Sequence, residues 1–253
     1  MTGIVLAAGY GTRMRSVSAT VPKPLLPVGD RTVIDYLLDH LAGIPGLGRL
    51  VLVTNALSHD RFVAWAHTRS PQPIEIINDG TRSNDERLGA IGDLRFALRQ
   101  ARVEDDILVA GADNIFRFEV RLLVEFFAER QADVIAVVRE TDPARLARTS
   151  TLRLDADARV IDFVEKASEP ISDLIGPPLY VFRRDTLPLI DEYLAGGNSP
   201  DAPGHFIAWL HRRRPVYGRL MPAGRHDIGS PETYEEAKKA LEQDGQDQQD
   251  TAG

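Results

Sequence analysis

The feature that most limits what this chain can become is a series of short, almost uninterrupted apolar runs separated by amphipathic stretches of helical period. The runs lie at 4–8, 50–54, 74–77, 107–110 and 134–138 and are rich in Val, Ile and Leu. Such runs suit strands covered on both faces, as in a parallel sheet. Between them, Val33, Ile34, Leu37, Leu38 and Leu41 predict a helix over 33–43. Leu88, Ile91, Leu94 and Leu98 predict one over 86–101, and Val120, Leu123, Val124 and Phe127 one over 119–129. Strands alternating with helices through residue 140 imply βαβ units: an α/β fold of three layers, with a mixed, mostly parallel sheet and helices on both faces.

After residue 140 the pattern changes, with strands expected at 151–154, 159–165, 178–183 and 216–220 and helices near 186–194, 203–212 and 231–242. No Ser/Gly-rich linker or internal repeat divides the chain. We therefore expect one domain over 1–242 with two lobes, 1–140 and 141–242. Residues 243–253 are polar and without period, which predicts an unstructured tail.

The most informative segment is Leu6-Ala7-Ala8-Gly9-Tyr10-Gly11-Thr12-Arg13, with Lys23 following inside Pro22-Lys23-Pro24. A strand that runs into small residues and two glycines leaves backbone N–H groups bare, so Leu6, Ala8, Gly9, Gly11 and Thr12 form a cradle for a triphosphate. Arg13 and Lys23 add fixed positive charge: a fork for the departing phosphates and a point charge for the α-phosphate or the acceptor phosphate. A dinucleotide fingerprint is excluded by the missing third glycine and by prolines at 22, 24 and 27, which prevent the long helix that it needs. No Gly-Lys-Ser/Thr follows to make a Walker loop.

Residues 6–14 and 22–28 resemble the hallmark of the sugar-phosphate nucleotidylyltransferases, such as glucose-1-phosphate thymidylyltransferase: Leu-Ala-Ala-Gly-x-Gly-Thr-Arg-Met, then Pro-Lys-Pro-Leu-x-Pro-Val. The resemblance extends to about residue 240 and implies that 1–140 is a nucleotide-binding lobe and 141–242 an acceptor-binding lobe. It implies a Rossmann-like, GT-A-like core, two metal-binding aspartates and ordered transfer to a sugar 1-phosphate. On this likeness Asp113, in Gly111-Ala112-Asp113-Asn114, and Asp227, in Asp227-Ile228-Gly229-Ser230-Pro231-Glu232, are the ligands of a Mg2+ ion. Asp113 follows a predicted strand, where open α/β sheets bind ligands, and Mg2+ takes one or two carboxylates together with substrate phosphates. Ser230 and Pro231 also make a good helix cap and first helical position, which leaves Asp227 unexplained by structure alone.

The family's base-reading glutamine and following glycine correspond in spacing to Asn84 and Gly89. A purely structural alternative has Asn84 or Asp85 capping the helix at 86–101. The family's Glu-Lys-Pro element, which takes sugar hydroxyls and the acceptor phosphate, is matched by Glu165-Lys166, with Ala167 in place of the proline. Family glycines beside this pocket are replaced by Ser150 and Pro178.

These readings predict an enzyme that transfers a nucleoside monophosphate from a triphosphate to a sugar 1-phosphate and releases pyrophosphate. Two alternatives are a cytidylyltransferase for phosphocholine or a polyol phosphate, and a noncatalytic nucleotide sensor. The phosphocholine version requires an aromatic cage. Retention of Arg13, Lys23, Asp113, Asp227 and Lys166 together argues against the sensor. A net charge of -7 argues against nucleic acid as a partner, and Arg212-Arg213-Arg214 is expected to be a solvated helix end. No run approaches the ~20 apolar residues of a membrane span, and Met1 leads into a strand without a secretory signal. The expected setting is cytoplasmic, away from membranes, with the chain working alone or as a homo-oligomer.

Overall fold

The computed structural model of the chain describes residues 1–18, 20–70, 72–166 and 169–251, with side chains in the last helix through Gln243. The first part runs β1 (Thr2–Leu6), a ribbon of β2 (Pro27–Val28) and β3 (Arg31–Thr32), α1 (Val33–Ala42), β4 (Arg49–Thr54), α2 (His59–Arg69) and β5 (Ile74–Asn78). It continues through α3 (Ala90–Gln100), β6 (Ile107–Gly111), β7 (Asn114–Phe116), α4 (Arg121–Arg130) and β8 (Asp133–Arg139). Then come α5 (Pro143–Leu146), β9 (Thr151–Leu154), β10 (Val160–Val164), β11 (Leu174–Ile175) and β12 (Leu179–Phe182). The chain closes with α6 (Leu187–Ala195), α7 (Pro203–Leu210), β13 (Val216–Leu220), β14 (Arg225–Asp227) and α8 (Pro231–Thr251).

Ten strands form one sheet in the order β10-β9-β11-β8-β12-β6-β1-β4-β5, with β13 also paired to β8. β6, β1, β4 and β5 are mutually parallel, whereas β12 runs against both β6 and β8. Each strand serves two cores because successive side chains point to opposite faces. Val5, Leu50 and Leu52 join the core under α1, α2 and α4; Ile4, Val51 and Val53 join the core under α3, α6 and α7. The register sets Leu6 level with Val53 and Gly111, and Thr54 level with Asn78, so four parallel strands end at one edge. The loops that follow β1 and β6 at this edge carry the candidate site residues of the glycine loop and Asp113.

A third core of Met14, Leu26, Val28, Val33, Ile115, Ile228, Tyr234 and Ala237 lies beneath those loops. It ties the segment after the glycine loop to the last helix, and the Tyr234 hydroxyl donates to the Pro27 carbonyl.

Three sequence expectations are corrected. The helix expected over 86–101 starts at Ala90, and its N-cap is Gly89 rather than Asn84 or Asp85. The N–H groups of Ala90 and Ile91 are taken by the carbonyls of Asp201 (3.3 Å) and Pro200 (2.9 Å), so no capping side chain is needed. The last helix runs past 242 to Thr251, through the segment expected to be an unstructured tail; its Glu and Gln residues are good helix formers, and extending a formed helix is easier than starting one. Residues 252 and 253 lie outside the described residues. Finally, the basic run is not simply solvated. Arg213 stacks on Trp209 at 3.8 Å, and Arg214 pairs with the fully buried Asp133 at 3.1 Å and with Asp185 at 3.0 Å.

Candidate active site

The glycine loop leaves β1 anchored on one side: the Asn55 side chain donates to the Ala8 carbonyl at 2.9 Å, and Ala7 N–H to Val53 O at 2.9 Å. Gly11 has φ +56°, a left-handed conformation that favours glycine. A Cβ there would also lie 3.2 Å from the Lys23 Cγ, so the lysine stem runs directly along the loop. Thr12–Met14 form a single tight turn, closed by Met14 N–H to Gly11 O at 2.8 Å and fixed by burial of Met14 in the third core. Arg13 therefore points out of that turn, and its Nη2 lies 3.7 Å from where a Cβ on Gly229 would stand. Lys23, only 14% exposed, places Nζ 3.6 Å from Asp113 Oδ2.

Asp113 and Asp227 are brought together by a two-stranded ribbon. Antiparallel β14 and β7 pair Asp227 with Asn114, and Ile228 N–H donates to the Asp113 carbonyl at 2.9 Å. Burial pushes the Asp113 carboxyl up from its ordinary range; Lys23 pulls it back, the like charge of Asp227 raises it and Arg225 lowers it. Its side chain remains 36% exposed at the mouth of the site, so a surrounding of protein atoms on most sides coexists with access from the cleft. Two mutually repelling carboxylates with an open side suit a hard divalent cation, which would neutralise both and hold phosphate oxygens. Among the described residues no group of three or more His, Asp or Glu side chains forms a protein-only cage. The donor set thus fits Mg2+, an ion that commonly completes its shell with substrate and water.

Arg225, which the sequence reading passed over, is 8% exposed on its side chain and lies 3.4 Å from Asp227 Oδ2. It also donates to the Asn114 side-chain oxygen, while the Asn114 amide donates to Asp113 Oδ1 at 3.0 Å. The Arg-x-Asp spacing was the available signal, since alternate residues of a strand share a face.

Asn84 lies in the turn before α3, half-buried, and its carbonyl accepts from Arg87 Nη1 at 2.8 Å. Gly89 has φ +78° and ψ 160°, and a Cβ on it would come within 2.6 Å of Pro200 O. Close packing on the 200–201 backbone thus gives this glycine a reason of its own. Arg87 forks onto Asp201 at 3.2 Å through both Nε and Nη2, reinforcing the same seam.

On the acceptor side, the Glu165 side chain is 7% exposed, and its Oε2 would lie 1.9 Å from a Cβ on Gly204, in the first turn of α7. Lys166 is 63% exposed, has φ +51° and reaches Glu165 Oε1 at 3.7 Å. The Tyr180 hydroxyl is pushed far up by burial, further up by the Glu165 charge and down by Arg225, so it stays protonated. These shared influences place Glu165, Tyr180 and Arg225 around one region. Ser150, in place of a glycine, satisfies its hydroxyl on Gly176 O at 3.1 Å, and the Pro178 carbonyl accepts from Gly111 N–H at 2.9 Å. Ala167 lies outside the described residues.

A family model described as nucleotidyl transferase matches residues 2–244. The chain belongs to this family. Among relatives of the nucleotidyl transferase family, a protein of Sulfolobus acidocaldarius named putative mannose-1-phosphate guanyltransferase is 28% identical over 196 residues, covering 76% of this chain and 51% of its own. Glucose-1-phosphate adenylyltransferase of Geobacillus stearothermophilus is 25% identical over 213 residues, covering 80% of this chain and 54% of its own. The chain thus spans about half the length of these two curated relatives. The fold matches a crystal structure of apo UDP-glucose pyrophosphorylase with a TM-score of 0.78 at 17% identity, covering 96% of this chain and 98% of that one. A putative glucose-1-phosphate thymidylyltransferase from Bacillus anthracis, in complex with sucrose, gives 0.76 at 19% identity, covering 95% and 94%. Among the described residues no helix is long and apolar enough to cross a membrane.

Proposed function

We propose that this nucleotidyl transferase family member is a sugar-1-phosphate nucleotidylyltransferase that uses Mg2+, converting a nucleoside triphosphate and a sugar 1-phosphate into an NDP-sugar and pyrophosphate. The observation that carries the reading is the grouping of Arg13, Lys23, Asp113 and Asp227 beside the glycine loop. The curated relatives, named for transfer to mannose or glucose 1-phosphate, support the substrate class.

In the reaction an acceptor phosphate oxygen attacks the α-phosphorus in line, and the bond from that phosphorus to the β-bridging oxygen breaks. The electron pair leaves with pyrophosphate. The acceptor is a phosphate monoester, already ionised, so no side chain has to act as a strong base; positioning and charge neutralisation supply the rate. Bare backbone at 9–11 accepts the triphosphate, Lys23 meets the reacting phosphate and Arg13 the departing one. Held by Asp113 and Asp227, a Mg2+ ion would neutralise phosphate charge. Asn84 and Gly89 face the base, and Glu165 and Lys166 face the acceptor's hydroxyls and phosphate.

The phosphocholine alternative lacks support in the aromatic residues. Trp65 is buried and donates to Asp35 at 2.9 Å, while Trp209 stacks between Phe206 and Arg213, so neither tryptophan is free for a cage. The test is a matrix of five triphosphates against a panel of sugar 1-phosphates, read by pyrophosphate release, with phosphocholine included. Turnover confined to phosphocholine would overturn the sugar assignment, and binding without turnover would leave a sensor.

A further inference from the structure

A pair of carboxyls, Asp93 buried and Asp79 half-buried, unused by the reaction above, lies between the glycine loop and α3. Asp79 follows β5, and Asp93 stands in the first turn of α3. Asp93 is 7% exposed, and no amide or hydroxyl donates to its buried Oδ1. Its hydrogen-bond partner is instead the Asp79 carboxyl. Asp79 Oδ1 in turn accepts from Thr81 N–H at 2.7 Å and from the Thr81 hydroxyl at 2.8 Å. The Thr81 hydroxyl accepts from the Tyr10 hydroxyl at 2.8 Å. Tyr10 is the residue between the two glycines of the glycine loop.

Two carboxyls can share a hydrogen bond only while one of them keeps a proton, because both are otherwise acceptors. Burial above all, then the Asp79 charge and hydrogen bond, pushes the Asp93 carboxyl up from 3.8 to about 8. Among the described residues no cation offsets this. The charged group acting on Asp93 is Asp79, and those acting on Tyr10 are Asp79, Glu86 and Asp93. A hydrogen-bonded chain therefore runs from α3 to the glycine loop: Asp93 donates to Asp79, which accepts from Thr81, which accepts from Tyr10.

We propose that Asp93 is a positioning residue for the nucleotide: by donating to Asp79 it fixes the loop carrying Thr81 and, through the Tyr10 hydroxyl, the shape of the glycine loop that receives the triphosphate. The inference rests on that loop being the triphosphate site. A raised folded pKa means that the bond's contribution is fully present below the ordinary carboxylate range and is lost as pH rises through about 8. Deprotonation then sets two carboxylates against each other and releases the loop.

The experiment is calorimetric binding of the Mg2+ complexes of five nucleoside triphosphates from about pH 7 to about pH 9, where the competent protonated fraction should fall on the order of tenfold and the apparent Kd rise in proportion. Asp93→Asn keeps the size and a donor but cannot ionise, so its Kd should stay level across the range. Tyr10→Phe, at a half-exposed position, cuts the last link and should bind more weakly with no alkaline rise. Ionisation of the bases affects all three proteins alike and cancels in the comparison. A level wild-type profile, or an alkaline rise that persists in Asp93→Asn or in Tyr10→Phe, overturns the proposal. Pyrophosphate release is read in parallel. The expected pH dependence without turnover removes the reaction and leaves the positioning role standing, whereas full turnover with pH-independent binding does the reverse. If none of the triphosphates binds, both fall.

Discussion

Replacing Gly89 with alanine separates two reasons for a glycine. Its φ of +78° and ψ of 160° lie in a region that is essentially glycine-only, so a side chain costs about 1–3 kcal/mol in backbone strain alone. A Cβ would also stand 2.6 Å from the Pro200 carbonyl oxygen, and backbone cannot swing away as a side-chain tip can. The 200–201 segment must then retreat, weakening the bonds from Ile91 N–H (2.9 Å) and Ala90 N–H (3.3 Å), at about 0.5–1.5 kcal/mol each. Together this makes about 2–6 kcal/mol, which for a chain of this size lowers the melting temperature by roughly 10 °C. The assay is urea unfolding with a thermal melt beside it. Asp201→Ala is the control, because its pair with Arg87 is about half exposed and should contribute under ~1 kcal/mol. A Gly89→Ala protein within ~1 kcal/mol of wild type would refute the packing argument. Unchanged stability with lost triphosphate binding would leave the role facing the base as the glycine's sole one.

Asp113→Asn and Asp227→Asn should each lower Mg2+-dependent pyrophosphate release by orders of magnitude while circular dichroism stays native; near-wild-type turnover in either would remove that residue from the reaction. Glu165→Ala should weaken use of the preferred sugar 1-phosphate by roughly ten- to a hundredfold, from ~1–3 kcal/mol of unpaired hydroxyl, without reordering the triphosphates. Asn84→Ala should do the opposite, and a crossed result in the substrate matrix would refute the pocket assignment. Burial, followed by the Arg212 charge, lowers the His211 imidazole below 6.5. A depressed folded pKa gives stability that is present above pH 6.5 and lost as the pH falls below it, so urea midpoints should decline on acidification more steeply in wild type than in His211→Gln.

The sheet was legible because burial on both faces forces continuous apolar runs: β4 begins one residue before its expected start, and β6 ends one residue beyond its expected end. α2 was missed because its sequence is mostly polar, with Phe62 and Trp65 alone fully committed to the core. The ribbon of β7 and β14 was missed for a different reason. Three-residue strands carry too little periodicity to read, and their pairing depends on residues far apart in sequence. The glycine loop announced itself through residue types that few other structures require. The Asp79–Asp93 pair did not, since an aspartate in the first turn of a helix ordinarily reads as a favourable charge at its N-terminus, and only the fold reveals that it faces a second carboxyl.

The β7–β14 ribbon also bears on how the protein comes into being. Arg225 and Asn114, bonded across it, are 111 residues apart in the chain, and Tyr234 and Pro27 are separated by 207. Contacts of such span close late, because loop entropy must be overcome before they gain anything. During synthesis the glycine loop and Lys23 leave the ribosome long before Asp227 exists, so a nascent chain presents cations without the second carboxylate. On the proposed function, the growing protein thus carries a cationic cleft whose second carboxylate arrives only when β14 pairs with β7.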